Sequence, residues 1–303
     1  MFCYKCNRPI ENKEKIHHGL HSSCFSEWFA MGNSISLPDF TNLAPKTSSS
    51  DSGVETVLHS SFFQGKFKKY SAMLNGKAYI LKVKESQYPE LPATEYLCNQ
   101  LLNLFDLPIP TFYFIKLHNE IDAFVTQNFM HELVGNLTHL YHYMSSHQKF
   151  NCANIIATIG KISQQPHIDL KNFIMLCLFD ALVGNHDRHG RNLGFIHTRD
   201  KCWLAPFYDN VSYLAIEEEA LLGAIHEPHG SIRTNQCAEP SMKDYVQEFK
   251  QLNIDITSFY EQIDLVKIRS LINQAFISEA RKKALITLIE RRYLELKQEL
   301  FHG

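Results

Sequence analysis

The segment LVGNHDRHGRNLGF, residues 182–195, sets a carboxylate, Asp187, five residues ahead of a carboxamide, Asn192, in a polar run bounded by apolar residues. Downstream, WLAPFYDNVSYL (residues 203–214) adds a second carboxylate, Asp209. Two carboxylates and a carboxamide supply a proton acceptor and hard oxygen ligands, the set that metal-assisted phosphoryl transfer needs. The first pair follows a long apolar stretch, NFIMLCLFDALVG (172–184), which predicts a buried helix ending at a loop.

Such chemistry also needs a cation to grip phosphates and an anion to position that cation. In KAYILKV (77–83), Lys82 interrupts an apolar strand, where an unpaired ammonium would be costly. Glu95, in the helical pattern ATEYLCNQLLNLF (93–105), is its natural counter-charge. The runs KFKKYSAML (66–74) and KAYILKV flank Asn75-Gly76, the dipeptide that best supports a tight hairpin. TFYFIKL (111–117) and AFVTQNFM (123–130) predict two more strands, giving the order hairpin, helix, strand, strand of a nucleotide-binding small lobe. From about Leu133 onward helices dominate, ending in SEARKKALITLIERRYLELKQELF (278–301) with its apolar stripe.

The pattern N-x-D-x-H-x-[KR]-N, followed by [LY]-x-P-x-[YF]-D, resembles the HipA-like serine/threonine protein kinases, and YILKVKESQYPELPATEYL (79–97) is similar to their HipT-type members. The resemblance covers about residues 55–300 and also the cysteine-rich start. It implies an α+β, bilobal, protein-kinase-like fold with a β-rich small lobe (46–132) and a mainly helical large lobe (133–303), preceded by a zinc-knuckle-like module and linker (1–45). Its site would use ATP and Mg2+: Asp187 as catalytic base, Asn192 and Asp209 as metal ligands, and Lys82 on the α- and β-phosphates with Glu95 as partner. His189 would orient the loop, or be a satisfied histidine without a chemical part, and Arg191 would meet phosphate or the transition state. The family's phosphate loop reads S-x-x-G-x-Q-x-K. Here HSSFFQGKF (59–67) keeps Ser60, Ser61, Gln64 and Lys66 but puts Phe62 where glycine is expected, restricting backbone approach to phosphate. A serine of that loop is an autophosphorylation site in the family, which makes Ser60 or Ser61 the candidates. Ser48, Ser49, Ser50 and Ser52 compete, though TSSSDSG (47–53) reads as flexible linker.

The resemblance further implies a bacterial toxin kinase that phosphorylates an aminoacyl-tRNA synthetase and is neutralised by small HipS-like and DNA-binding HipB-like antitoxins. A secreted effector would share much the same kinase core. Two rival readings share the loop chemistry. Phosphatidylinositol-type lipid kinases also use D-R-H-x-x-N, and a kinase-like scaffold without turnover would fit the altered phosphate loop.

The N-terminus carries its own pattern. Cys3-x-x-Cys6 and His21-x-x-Cys24 form a three-cysteine, one-histidine set spaced for tetrahedral structural zinc, with His17 or His18 as alternatives to His21. Reduced thiols packed beneath Phe25, Trp28 and Phe29 are the competing reading. The polar run GNSISLPDFTNLAPKTSSSDSG (32–53) predicts a linker or mobile loop.

Bulk properties narrow the field. With 303 residues the chain is long enough for two lobes, and 30 Lys plus Arg against 32 Asp plus Glu give no global field for holding nucleic acid or anionic membrane. No run is apolar enough to span a bilayer and no cleavable apolar leader opens the chain, which predicts a cytoplasmic protein.

Overall fold

The computed structural model describes residues 1–11, 15–32, 36–46, 69–118, 120–144, 149–224 and 232–301. The candidate phosphate loop with Ser60, Ser61, Phe62, Gln64 and Lys66 lies outside the described residues, as do Ser48, Ser49, Ser50 and Ser52. The chain divides into two compact units, Met1–Tyr96 with Pro110–Glu132, and Leu97–Ile109 with Leu133–Gly303.

The first unit opens with a short hairpin, β1 (Ile16–His17) and β2 (Leu20–His21), then helix α1 (Ser22–Trp28). Strands β3 (Thr41–Lys46), β4 (Lys69–Leu74) and β5 (Lys77–Val83) follow, then α2 (Leu91–Leu102), β6 (Phe112–Leu117) and β7 (Ile121–Gln127). The five longer strands form one antiparallel sheet in the order β3-β4-β5-β7-β6. Asn75 and Gly76 close the β4–β5 hairpin with φ of 48° and 76°, the left-handed pair that a two-residue type I′ turn demands. The expected hairpin, helix and two further strands are therefore all present.

Side-chain alternation then assigns the faces of β5. Tyr79 and Leu81 join a buried cluster with Phe25, Phe29, Phe40, Tyr113, Ile115 and Val125. Phe29 sits at its centre, with ring centroids 4.3 Å from Tyr113 and 5.8 Å from Tyr79. The N-terminal residues thus complete the core of this sheet, and Lys82, one residue out of phase, points to the other face.

One expectation is corrected here. Within the run read as linker, Thr41–Lys46 pairs with β4 as a strand. Its composition misleads because it is an edge strand, where Pro45 loses no interior ladder bond, and because its partner is distant in sequence.

The second unit contains β8 (Gly135–His139), α3 (Cys152–Ile162), α4 (Pro166–Val183), β9 (Gly194–Thr198) and β10 (Cys202–Leu204). Helices α5 (Met242–Gln251), α6 (Thr257–Glu261), α7 (Leu265–Gln274) and α8 (Glu279–Phe301) complete it. The helical prediction holds, with the addition of an antiparallel sheet in the order β10-β9-β8. Helix α4 is buried continuously from Phe173 to Val183, which explains its lack of a polar stripe. Gly184 ends it at φ 73°, and a Cβ there would come within 3.0 Å of Tyr213 and Leu288, so glycine is required twice over. Among the described residues no helix is long and apolar enough to cross a membrane.

Candidate functional site

In the first unit, Lys82 from β5 meets Glu95 from α2. The ammonium lies 2.5 and 2.7 Å from the two carboxylate oxygens, and both residues are buried. Removing two opposite charges from water is tolerable only with such close pairing. The sequence expectation that Glu95 answers Lys82 is met in geometry.

In the second unit, Gly184 turns the chain out of α4 into the loop that carries Asp187 and Asn192. Asn185 accepts from the Asp187 backbone N–H at 3.2 Å and donates to Asp180 at 2.9 Å. Asn192 donates its side-chain N–H to the Asp187 carbonyl at 2.9 Å, a bond that spends the nitrogen and leaves the carboxamide oxygen for a cation. The Asp187 carboxylate is exposed, 71% accessible, and His189 Nε2 stands 3.9 Å from it. His189 Nδ1 accepts from the Arg191 backbone N–H at 3.2 Å, so this histidine braces the loop from within. Arg191 itself is exposed. Asp209 is half-buried at φ 56°, a left-handed conformation uncommon for a residue with a side chain. Its carbonyl receives a long 3.5 Å contact from Asn185.

Beneath these groups lies a clamp that sequence reasoning missed. The fully buried Arg188 guanidinium donates to Asp180 at 2.8 and 3.0 Å, to the Tyr208 carbonyl at 2.6 Å and to Asn210 Oδ1 at 2.6 Å. One side chain therefore ties the loop of Asp187 to the segment of Asp209. Burial opposes its charge, but Asp180 beside it raises the Arg188 pKa overall. Asn210 extends the network to Asn99 at 3.0 Å. The available signal was Asp180, a lone charge in the middle of an apolar helical run.

Asp187, Asn192 and Asp209 thus belong to one hydrogen-bonded assembly in the second unit, and Lys82 with Glu95 to another in the first. The carboxamide and carboxylate oxygens are the donors that Mg2+ prefers.

The cysteine set also assembles. Ligand atoms of Cys3, Cys6, His21 and Cys24 all lie within 4.8 Å of one another. His21 Nδ1 is 3.4 Å from Cys6 Sγ and 3.8 Å from Cys24 Sγ, straddling the roughly 3.6 Å edge of a tetrahedron with ordinary zinc–sulfur and zinc–nitrogen bonds. His21 Nε2 faces the Pro9 carbonyl at 3.4 Å, an acceptor that fixes the proton there and leaves Nδ1 a lone pair. Burial, then hydrogen bonding to Cys3 and Cys6, pushes the Cys24 thiol up to about 12. Hydrogen bonds from Arg8, Cys3 and Cys24 outweigh burial at Cys6 and bring it down to about 6. These residues fit a structural zinc ion. His17 and His18 stand apart from this set, beside Asp39.

Comparison with known proteins gives a consistent picture. The chain is 24% identical over 259 residues to the serine/threonine-protein kinase CtkA of Helicobacter pylori, covering 74% of this chain and 78% of that protein. The crystal structure of the H. pylori proinflammatory kinase CtkA superposes with a TM-score of 0.62 at 19% identity, over 77% of this chain and 94% of that one. HipA from the Shewanella oneidensis toxin–antitoxin complex of HipA, HipB and operator DNA gives a TM-score of 0.53 at 12% identity, over 76% of this chain and 60% of that one. Both show the same α+β kinase-like fold. Residues 45–276 match the HipA-like C-terminal domain, and on that match the chain belongs to the HipA-like C-terminal domain family.

Proposed function

We propose that this serine/threonine kinase transfers the γ-phosphoryl group of Mg-ATP to a protein hydroxyl, and that it does so as the toxin of a HipBST-like toxin–antitoxin system. The observation that carries the phosphoryl-transfer reading is the buried Lys82–Glu95 pair, the device that protein kinases use to hold a lysine against the nucleotide phosphates.

In this reading Asp187 accepts the proton of the attacking hydroxyl, a task its exposure permits and its neighbour His189 helps to orient. Asn192 and Asp209 hold Mg2+ through oxygen, and the ion supplies charge neutralisation for the transferring phosphoryl group. Arg188 and Asp180 keep the two metal-holding segments in register. Arg191 meets phosphate or the transition state. Ser60, Ser61, Gln64 and Lys66 would form the phosphate loop, with Ser60 or Ser61 as the site of autophosphorylation. A structural zinc ion on Cys3, Cys6, His21 and Cys24 would fix the start of the chain against the sheet core.

The toxin reading is supported by family membership and by the fold shared with HipA of a toxin–antitoxin complex. It carries HipB-like and HipS-like antitoxins as partners, an aminoacyl-tRNA synthetase as the target and the bacterial cytoplasm as the place of action. The relation to a proinflammatory kinase favours an alternative target, a host protein met after secretion.

The test is labelled Mg-ATP with a bacterial lysate and, in parallel, phosphatidylinositol vesicles, comparing the wild type with Asp187→Asn. Label in protein that falls about 10²- to 10⁴-fold in the variant supports the assignment. Label in lipid alone would make the enzyme a lipid kinase, and equal labelling by both proteins would remove Asp187 as the base.

A further inference from the structure

A second set of ligand-type side chains stands near the first and is explained by neither the kinase site nor the cysteine cluster. His18 occupies the β1–β2 turn at φ 52°, followed by Gly19 at φ 75°. A Cβ on Gly19 would come within 3.1 Å of the Lys116 side chain, so the turn is held closely against β6. The left-handed conformation at His18 is unfavourable for a residue with a side chain, and the residue is only 5% exposed, stacked on Phe25 at 5.6 Å and edge-on to Phe40 at 5.4 Å.

The ring is fixed by its hydrogen bonds. His18 Nδ1 donates to the Lys116 carbonyl at 2.9 Å, and the Lys116 backbone N–H donates to the His18 carbonyl at 2.8 Å. With its proton on Nδ1, the imidazole presents a lone pair at Nε2. That atom is buried, makes no hydrogen bond, and faces Asp39 Oδ1 at 3.2 Å. Two acceptors at that separation repel unless a proton or a cation lies between them. A divalent cation held between the Nε2 lone pair and the carboxylate oxygen would satisfy both, and His17, His18 and Asp39 bring ligand atoms within 4.8 Å of one another. His17 supplies a third donor: its Nε2 is 3.7 Å from the same Asp39 oxygen, and the two rings are edge-on at 4.6 Å.

We propose that His17, His18 and Asp39 form a second divalent-metal site, separate from the cysteine set, that takes zinc through two imidazole nitrogens and one carboxylate oxygen. The spacing fits: 3.2 and 3.7 Å straddle the roughly 3.3 Å edge of a tetrahedron with bonds of about 2.0–2.1 Å. The donors also discriminate. Imidazole with carboxylate suits zinc, whereas Mg2+ and Ca2+ want oxygen throughout and Cu(I) wants sulfur. His17 Nε2 donates its proton to the Pro38 carbonyl at 3.0 Å. On binding, that proton moves to Nδ1 and the Nε2 lone pair turns to the metal, with no net change in the protons on the ring. Water completes the fourth position. The ion would pin the β1–β2 turn to the segment leading into β3, while His18 Nδ1 ties the same turn to β6.

The experiment is a cobalt(II) titration of the untagged full-length chain, read by absorption and by metal content. Cobalt on the cysteine set gives a sulfur-to-metal charge-transfer band, and cobalt on two imidazoles and a carboxylate does not. The expected result is one equivalent bound without that band, lost in Asp39→Ala and in His17→Gln while the charge-transfer band of the cysteine set is unchanged. The Asp39 side chain is 78% exposed, so its removal leaves the core intact; His17 is only 19% exposed and packs edge-on to Phe25 at 4.3 Å, so the unchanged charge-transfer band of the cysteine set serves as the check that His17→Gln still folds. Zinc should likewise raise the melting temperature of the wild type more than that of either variant. The proposal is overturned if all bound cobalt shows the sulfur band, or if the variants bind as much metal as the wild type.

Discussion

Arg188 and Asp180 form a two-pronged ion pair, Nε to Oδ2 at 2.8 Å and Nη2 to Oδ1 at 3.0 Å, with both residues buried under the loop that carries Asp187. The same guanidinium reaches the Tyr208 carbonyl and Asn210, so the pair is the joint between the segments that carry Asp187 and Asp209. Removing one partner strands a buried charge, and Arg188→Leu or Asp180→Leu should each destabilise the fold by about 3–5 kcal/mol. Arg188→Lys keeps the charge but not the planar fork, and should retain much of the stability while losing activity. Chemical denaturation alongside phosphorylation assays checks this. A lysine variant with full turnover would show that the fork does not set the loop.

The Lys82–Glu95 pair supports a second expectation. On the proposed mechanism Lys82→Met removes the cation that would grip the phosphates, and it should lower turnover about 10²-fold or more, by analogy with removal of a single charge-stabilising donor. Glu95→Gln should give a milder loss, because it keeps a hydrogen-bond acceptor for the ammonium at 2.5 Å but removes the charge. Turnover in Glu95→Gln below that of Lys82→Met would reverse the order in which we place them.

How much of this was readable in the chain depends on whether neighbours in sequence or in space decide the structure. Asn75-Gly76 forms its turn whatever surrounds it, and the alternation of β5 marks Lys82 as an intruder in an apolar strand. Those signals are local. Arg188, by contrast, reads in sequence as one more polar residue of a loop between His and Asp, and only tertiary contact with α4 shows it to be among the most buried side chains. Thr41–Lys46 fails for the same reason: its Asn and Pro content is that of a loop, and the ladder with β4 comes from residues far along the chain. At the cysteine start, spacing left three histidines open, and the β1–β2 hairpin separates them. His21 ends β2 beside Cys6 and Cys24, while His17 and His18 turn toward Asp39.

Zinc on the cysteine set should be a folding determinant of the first unit, since Cys3, Cys24 and Phe25 belong to the same core cluster as Tyr79 and Leu81. A strong chelator added to freshly purified protein should release zinc and lower the melting temperature. Cys24→Ala should do the same without chelator. Protein that contains no zinc when isolated, and whose melting is insensitive to chelator, would return the three thiols to the status of ordinary core cysteines.

Acid should weaken the second unit through His139. This residue of β8 is 5% exposed, and burial lowers its pKa, with a further lowering from His142. The unfolded chain therefore takes up its proton near the ordinary histidine value of about 6.5, while the folded protein does not until lower pH. Between those two values the unfolded state holds more protons, and stability falls as pH falls, by up to about 1.4 kcal/mol for each pH unit of the window. Above about pH 6.5 the neutral ring contributes its full packing, and below the folded-state pKa no further loss accrues. Urea midpoints at about pH 7.5 and about pH 5.5 should thus differ less in His139→Gln than in the wild type. An unchanged difference would mean that His139 is already protonated in the fold, satisfied by the Tyr208 hydroxyl 3.3 Å from its Nδ1.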